Sequence, residues 1–92
     1  MVAIKVIRNK KRFQYQAGVE LKILKYLKDR DKNDDNNIIR IIDYEIFRRH
    51  LLISFELLSM NLYEFIKSNN FQGVSIGLIR RFAIQILQAL KF

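Results

Sequence analysis

The sequence contains no cysteine and no proline, and only three glycines. The lack of cysteine excludes disulfides, thiolate zinc sites and thiol redox chemistry, and it fits an intracellular protein, cytoplasmic or nuclear. No apolar run approaches the roughly 18–20 residues that cross a bilayer, and the first residues follow a strand pattern instead of a signal-peptide pattern. We therefore expect no membrane partner.

Acidic residues are also scarce. The 92 residues include 17 Lys and Arg against nine Asp and Glu, for a formal charge of +8. This excess raises nucleic acid or an anionic membrane surface as partners, but a segment of a larger protein has the same excess when its acidic part lies elsewhere. Half of the residues are apolar and 28% are charged, which is typical of a folded protein. The length allows one small domain with a thin margin of stability.

The hydrophobic pattern predicts an α+β fold with three antiparallel strands and three helices. β-Branched residues with period-two alternation predict strands over residues 2–7, 38–47 and 51–57. An amphipathic pattern predicts a helix over residues 13–29, with Ala17, Ile23 and Leu24 on its apolar face. Asn61 and Ser75 are placed to cap two further helices. The predicted order is strand, helix, strand, strand, helix, helix.

The connecting segments carry polar residues without an evident site. Residues 8–12 (RNKKR) form a cationic connector, which we interpret as a solvated loop, with a phosphate-binding or nuclear-import patch as the less favoured alternative. Residues 29–37 are dense in turn formers and predict an exposed loop, whose carboxylates lack the spacing and the central glycine of a calcium loop. His50 falls at the turn between two strands. Because nothing near it in the sequence would orient its ring, we assign it no catalytic role.

Two charged side chains fall on faces that otherwise look apolar. Lys5 shares a strand face with Ala3 and Ile7, and Glu20 falls in the apolar stripe of the first helix beside Leu24. Burying an unpaired ion is costly, so we expect Lys5 and Glu20 to form an ion pair across an apolar contact. In the alternative, Glu20 points into solvent and Lys5 extends past Ile7 to reach water.

A lysine fixed by a helix carboxylate is suited to binding phosphate oxygens. The stretch VAIK at residues 2–5, followed after a loop by a helix carrying Glu20, resembles the lysine strand and the next helix of a protein kinase small lobe. Residues 47–73 (FRRHLLISFELLSMNLYEFIKSNNFQG) resemble the fifth strand, hinge and next helix of the dual-specificity tyrosine-phosphorylation-regulated kinases. Residues 8–24 and 74–90 resemble the same family, so the likeness covers essentially the whole chain.

The resemblance implies residues 1–58 as a partial kinase small lobe, residues 59–92 as the start of the large lobe, and an ATP site. Lys5 would pair with the α- and β-phosphates and Glu20 would hold Lys5. For the adenine ring, the implied contacts are Ala3 in the roof of the pocket, Ile39 on its inner wall and Phe55 as gatekeeper. Glu56, Leu57 and Leu58 would form the hinge, in which the backbones of Glu56 and Leu58 make hydrogen bonds to the adenine edge. Asn61 would lie near the ribose. Ala3, Ile39 and Phe55 could equally be core residues, and Asn61 a helix cap.

The chain also departs from the family pattern. The glycine-rich loop, the catalytic loop with its base aspartate and the metal-binding Asp-Phe-Gly segment are not among these residues. The resemblance therefore implies a fragment of an ATP- and Mg²⁺-dependent serine/threonine or dual-specificity kinase that acts on protein substrates. We expect the fragment to need the other kinase segments to complete its fold, and to be inactive alone.

Two functions of another class stay open from the sequence. One is a non-catalytic kinase-like regulator, and the other is a basic interaction module. The basic residues are not interleaved with exposed aromatic residues, and this pattern argues against a nucleic-acid partner.

Overall fold

The computed structural model describes residues 1–92. The elements are β1 (Val2–Val6), α1 (Lys11–Arg30), β2 (Ile41–Phe47), β3 (His50–Glu56), α2 (Leu62–Ser68) and α3 (Ile76–Lys91). Their order and the α+β class confirm the prediction. The chain forms two compact units, Met1–Leu57 and Leu58–Phe92. None of its helices combines the length and the hydropathy that a membrane span requires.

The first unit is a three-stranded antiparallel sheet with α1 against one face. The strand order is β1-β3-β2. Lys5 lies opposite Ile53 and Ala3 lies opposite Phe55. Because residues that face each other across antiparallel strands project to the same side of a sheet, these four side chains share one face. The first strand therefore presents its lysine on the same face as the core residue Ile53.

The core of this unit lies between that face and α1. Leu24, Ile41 and Ile53 form its buried cluster, and Ile53 is completely inaccessible to solvent. Ala17 is buried about two helical turns before Leu24, at a spacing that keeps both residues on one side of the helix. The prediction that Ile23 belongs to this face is wrong, since its side chain is 54% exposed. Leu21 packs against the core in its place.

The segment after α1 differs from the predicted exposed loop. Residues 29 and 30 still belong to α1, and Asp31 is buried. The Asp31 carboxylate accepts hydrogen bonds from Asn36 Nδ2 at 2.7 Å and from the backbone N–H of Asp35 at 3.0 Å. Burial raises the pKa of Asp31, but the hydrogen bonds from Asn36 and Asp35 and the charge of Arg40 outweigh it and lower this pKa below its ordinary value.

Replacing Asp31 by asparagine should lower stability in a pH-dependent way. Because the pKa of Asp31 is lower in the folded chain than in the unfolded one, its carboxylate stabilises the fold above about pH 4 and loses this effect as the pH falls through the folded value. The difference in urea midpoint between wild type and Asp31→Asn should therefore shrink between pH 5 and pH 2. Asp34→Asn, the control in the same loop, should show no comparable deficit at pH 7. A stability deficit of Asp31→Asn that grows as the pH falls would contradict the lowered pKa of Asp31.

The turn between β2 and β3 is strained. Phe47 pairs with His50, so Arg48 and Arg49 are the two turn residues, with φ angles of 50° and 67°. Two positive φ angles are typical of a type I′ turn, where asparagine and glycine are favoured. An L-residue with a β-carbon pays roughly 1–2 kcal/mol for this conformation. The sequence thus places two arginines where neither is favoured conformationally.

Replacing this pair with asparagine and glycine should stabilise the hairpin. We expect Arg48→Asn together with Arg49→Gly to raise the free energy of unfolding by about 1 kcal/mol, because the relief of strain exceeds the added entropy of the unfolded glycine. Urea unfolding followed by circular dichroism measures the change. The same two replacements at Arg80 and Arg81, inside α3, should lower helicity instead. An unchanged or lower urea midpoint for the turn variant would contradict this account.

The second unit contains two capped helices. The Asn61 side chain accepts a hydrogen bond from the Glu64 backbone N–H at 2.8 Å, and Ser75 accepts one from Leu78. Both caps were predicted from the sequence and are confirmed. Phe65 of α2 and Phe82 of α3 meet edge to face with ring centroids 5.8 Å apart, which holds the two helices together.

Candidate functional site

An ion pair between β1 and α1 is the main polar feature of the first unit. Lys5 Nζ donates hydrogen bonds to both carboxylate oxygens of Glu20, at 3.0 and 3.1 Å. Ala17, Glu20 and Leu24 share one helix face because they are three and four residues apart. The small Ala17 is buried on this face. No Cα atom of β1 lies within 8 Å of one in α1. The long Lys5 and Glu20 side chains therefore reach across the space between the strand and the helix for the two charges to meet.

The environment of the pair differs from the predicted apolar contact. The Lys5 and Glu20 side chains are 51% and 37% exposed, so the expectation that they are sequestered from solvent is wrong. Sequence periodicity placed Glu20 on the correct face of α1, but α1 packs against β2 and β3 and not against β1, the strand that carries Lys5. An exposed pair contributes about 0–1 kcal/mol to stability. The bridge therefore orients the lysine more than it stabilises the fold.

A cavity of about 220 Å³ adjoins the ion pair. Besides Lys5 and Glu20, its lining includes the polar side chains of Arg8 and Gln16 and the apolar side chains of Phe13 and Ala17. Arg8 belongs to the cationic connector for which phosphate binding was the less favoured interpretation, and Gln16 was not predicted. Gln16 precedes Glu20 by one helical turn, so its position could have been found from spacing.

The donors at this cavity fit a phosphate group. An ammonium has three N–H donors, and the bidentate contact with Glu20 leaves Lys5 capacity for a further acceptor on its exposed side. Arg8 brings a guanidinium, which binds phosphate through two parallel N–H bonds. The cavity is smaller than the roughly 300–1,000 Å³ of typical small-molecule sites. Its size suits a phosphate group and not an entire nucleotide.

The other residues implied for the nucleotide are spread over both units. Ala3 and Phe55 are neighbours across β1 and β3, and Phe55 packs against the core. Ile39 precedes β2 and is exposed, whereas Ile41 is the buried isoleucine of this segment. The Glu56 carboxylate accepts a hydrogen bond from the Arg40 backbone N–H at 2.8 Å.

The hinge residues lie on both sides of the boundary between the first and the second unit. Leu57 is the last residue of the first unit, and Leu58 and Asn61 belong to the second. Leu57 and Leu58 are both exposed. Asn61 caps α2 through its side chain. Its role as a helix cap is therefore established by geometry, and a contact with a ribose stays a prediction.

The structure contradicts the expectation for His50. Its Nδ1 lies 2.9 Å from the backbone carbonyl oxygen of Ile7, and the side chain is half-buried. The Ile7 backbone N–H in turn donates to the Leu51 carbonyl at 3.0 Å. The prediction of a solvated and unoriented histidine is wrong, because a residue distant in sequence supplies the acceptor. His50 joins the start of β3 to the end of β1.

Known proteins with sequences similar to this chain are protein kinases. The chain is 54% identical over all 92 residues to the probable serine/threonine-protein kinase dyrk2 of Dictyostelium discoideum. It is 56% identical over 90 residues to the dual specificity tyrosine-phosphorylation-regulated kinase 2 of Drosophila melanogaster. The chain is homologous to a segment of this kinase family. The human dual specificity tyrosine-phosphorylation-regulated kinase 4 is 50% identical over 91 residues.

The kinase homology concerns a limited part of each relative. The chain spans 10%, 12% and 18% of the lengths of these three kinases. No protein-family model matches the chain. The likeness therefore supports a protein kinase segment, as the VAIK strand and the helix with Glu20 predicted.

Proposed function

We propose that this chain is the part of a dual-specificity tyrosine-phosphorylation-regulated kinase that positions the phosphates of ATP. The observation that carries the proposal is the bidentate contact between Lys5 and Glu20. Kinase homology over the whole chain supports it. The parent protein would phosphorylate serine or threonine in protein substrates and a tyrosine of its own.

Lys5 would act by electrostatic positioning. Its ammonium would bind oxygens of the α- and β-phosphates, while Glu20 fixes the direction of the side chain. ATP, when bound with Mg²⁺, would supply the phosphoryl group that is transferred. Ala3, Ile39 and Phe55 would contact the adenine ring. The Mg²⁺ ligands and the base aspartate would come from segments outside residues 1–92, which by themselves would be inactive.

The remaining nucleotide contacts would come from the hinge. The backbones of Glu56 and Leu58 would bond the adenine edge, and Leu57 would lie between them. Asn61 would stand near the ribose. These assignments rest on the matching positions in the family and on the exposure of Leu57 and Leu58.

A chimeric kinase tests this proposal. Residues 1–92 replace the homologous segment of the Dictyostelium discoideum kinase, with which they are 54% identical. We expect the chimera to phosphorylate a serine-containing peptide and to bind a fluorescent ATP analogue. The unmodified kinase is the positive control, and residues 1–92 alone are the negative control. A folded chimera that neither binds the analogue nor transfers phosphate would refute the proposal.

A further inference from the structure

A groove on the first unit lies apart from the ion pair. It has a volume of about 430 Å³ and is lined by Asn9, Gln14, Ile46, Arg49 and Leu51. Ile46 and Leu51 face each other across β2 and β3. They form an apolar floor. This volume falls within the range of about 300–1,000 Å³ that binding pockets occupy.

The two sides of the groove differ in chemistry. On one side, Gln14 Nε2 donates a hydrogen bond to Asn9 Oδ1 at 2.6 Å. Side-chain amides such as these can both donate to and accept from a peptide backbone. On the floor, Leu51 packs against the core while Ile46 is 78% exposed. The fixed leucine and the accessible isoleucine together offer contact area for one apolar side chain of a partner.

The charge around the groove is of one sign. The flanking segments, residues 8–14 and 46–51, contain six cationic residues and no Asp or Glu. The six are Arg8, Lys10, Lys11, Arg12, Arg48 and Arg49. Such a patch attracts anionic partners and raises their rate of association.

The expectation that the basic residues are not interleaved with exposed aromatic residues is wrong, since Phe47 is exposed and Arg48 lies over its ring. The arrangement of these rings nevertheless favours a peptide over a nucleic acid. Arg8 and Arg12 lie over the Phe13 ring at 5.7 and 4.7 Å from its centroid, and Arg48 lies 5.2 Å from the centroid of Phe47. Single-stranded nucleic acids bind by stacking bases on aromatic faces. These faces are already engaged by guanidinium groups, whereas the aliphatic floor suits an aliphatic side chain.

We propose that this groove binds an acidic peptide segment of a protein partner, with an aliphatic residue seated on Ile46 and Leu51 and a flanking carboxylate paired with Arg49. This surface would add a docking function to the chain beyond the positioning of ATP. The strained turn supports the proposal. Arginine at both turn positions carries a conformational cost, and Arg49 supplies a cation in the lining of the groove.

Binding to the immobilised chimeric kinase tests the proposal. The chimera that contains residues 1–92 is attached to a sensor surface at low density, and the probe is a peptide with two adjacent leucines between runs of glutamate. Two control peptides replace the leucines by serine or the glutamates by glutamine. We expect each control peptide to bind at least about ten-fold more weakly, because either the floor or the cations lose their partner. Equal binding of the serine peptide would overturn the proposal.

Matched variants separate the groove from overall charge. Arg48→Asn with Arg49→Gly removes two charges in a form that the turn geometry favours, and Arg80→Gln with Arg81→Gln removes two charges from α3. We expect the turn variant to weaken peptide binding about ten-fold and the α3 variant less than about three-fold. Equal losses of peptide binding in the two variants would show non-specific electrostatic attraction and would refute the assignment of the groove as the binding site.

Two further measurements locate the bound peptide and distinguish it from a nucleic acid. Ile46→Ser should abolish the preference for leucine over serine in the peptide, and methyl resonances of Ile46 and Leu51 should shift on titration of wild type. An oligothymidylate that displaces the peptide and shows the same dependence on Arg48 and Arg49 would replace the peptide with nucleic acid as the ligand. Unchanged methyl resonances at peptide saturation would also overturn the assignment.

Discussion

Replacing Lys5 by methionine in the chimeric kinase should lower kcat/KM for peptide phosphorylation by at least about 100-fold. Removing one preorganised donor from a developing charge costs roughly 100- to 1,000-fold in rate. The fold should survive, because the pair with Glu20 is half-exposed and such pairs contribute about 0–1 kcal/mol. Steady-state kinetics and urea unfolding of the same preparation separate a lost phosphate contact from a lost structure.

Two companion variants determine what the lysine needs. Glu20→Gln keeps a hydrogen-bond acceptor but removes the charge, so we expect a smaller loss of about ten-fold. Lys25→Met is the matched control, because Lys25 is a lysine of α1 that bonds the Tyr44 hydroxyl at 2.8 Å, away from the ion pair. Its kcat/KM should stay within about three-fold of the chimera. Activity that withstands Lys5→Met would contradict the assigned role of the ion pair.

The secondary structure could be predicted because it is encoded locally. The alternation of residues 2–7 gave β1, and the polar residues Asn61 and Ser75 marked the starts of α2 and α3 through capping. Lys5 and Glu20 could be paired because each carried a charge on an otherwise apolar face. The strand, the two caps and the face on which each charge lies depend on neighbours close in sequence, although the ion pair itself joins residues 15 positions apart.

The degree of burial could not be predicted, because it depends on what covers each face. A helical wheel places Ile23 and Leu24 about 100° apart, at two edges of a broad apolar face, but Leu24 is buried in the core while Ile23 is exposed. The same limit explains why Lys5 and Glu20 are more exposed than expected. Periodicity states which way a side chain points, and the width of the opposing surface decides how much of it is covered.

Contacts between distant segments were the other features that the sequence concealed. His50 and Ile7 are 43 residues apart, and no local pattern indicates that they meet. The buried Asp31 is supported by residues four and five positions later, inside a segment whose composition predicts only a loop. Polar residues in such segments acquire partners through the path of the backbone, which composition does not specify.

Ile53→Ala should be the most destabilising of the core substitutions in the sheet. Ile53 is fully buried and contributes to the cluster with Leu24 and Ile41. Truncating a buried isoleucine to alanine costs about 2–5 kcal/mol, since the loss of buried area is added to the cost of the cavity. A small domain has a total stability of only about 5–15 kcal/mol. Urea unfolding followed by circular dichroism should therefore show a midpoint shifted far toward zero denaturant, or no folding transition.

A graded series keeps this expectation testable even when the alanine variant does not fold. Ile53→Val removes one methylene and should cost about 0.5–1.5 kcal/mol, which a folded sample can report. Ile46→Ala is the matched control on the neighbouring strand, because its side chain is 78% exposed and its truncation should cost less than about 0.5 kcal/mol. The ranking follows from burial alone, since all three variants shorten an isoleucine in the same hairpin. Equal losses for Ile53→Ala and Ile46→Ala would mean that the core does not lie between β3 and α1.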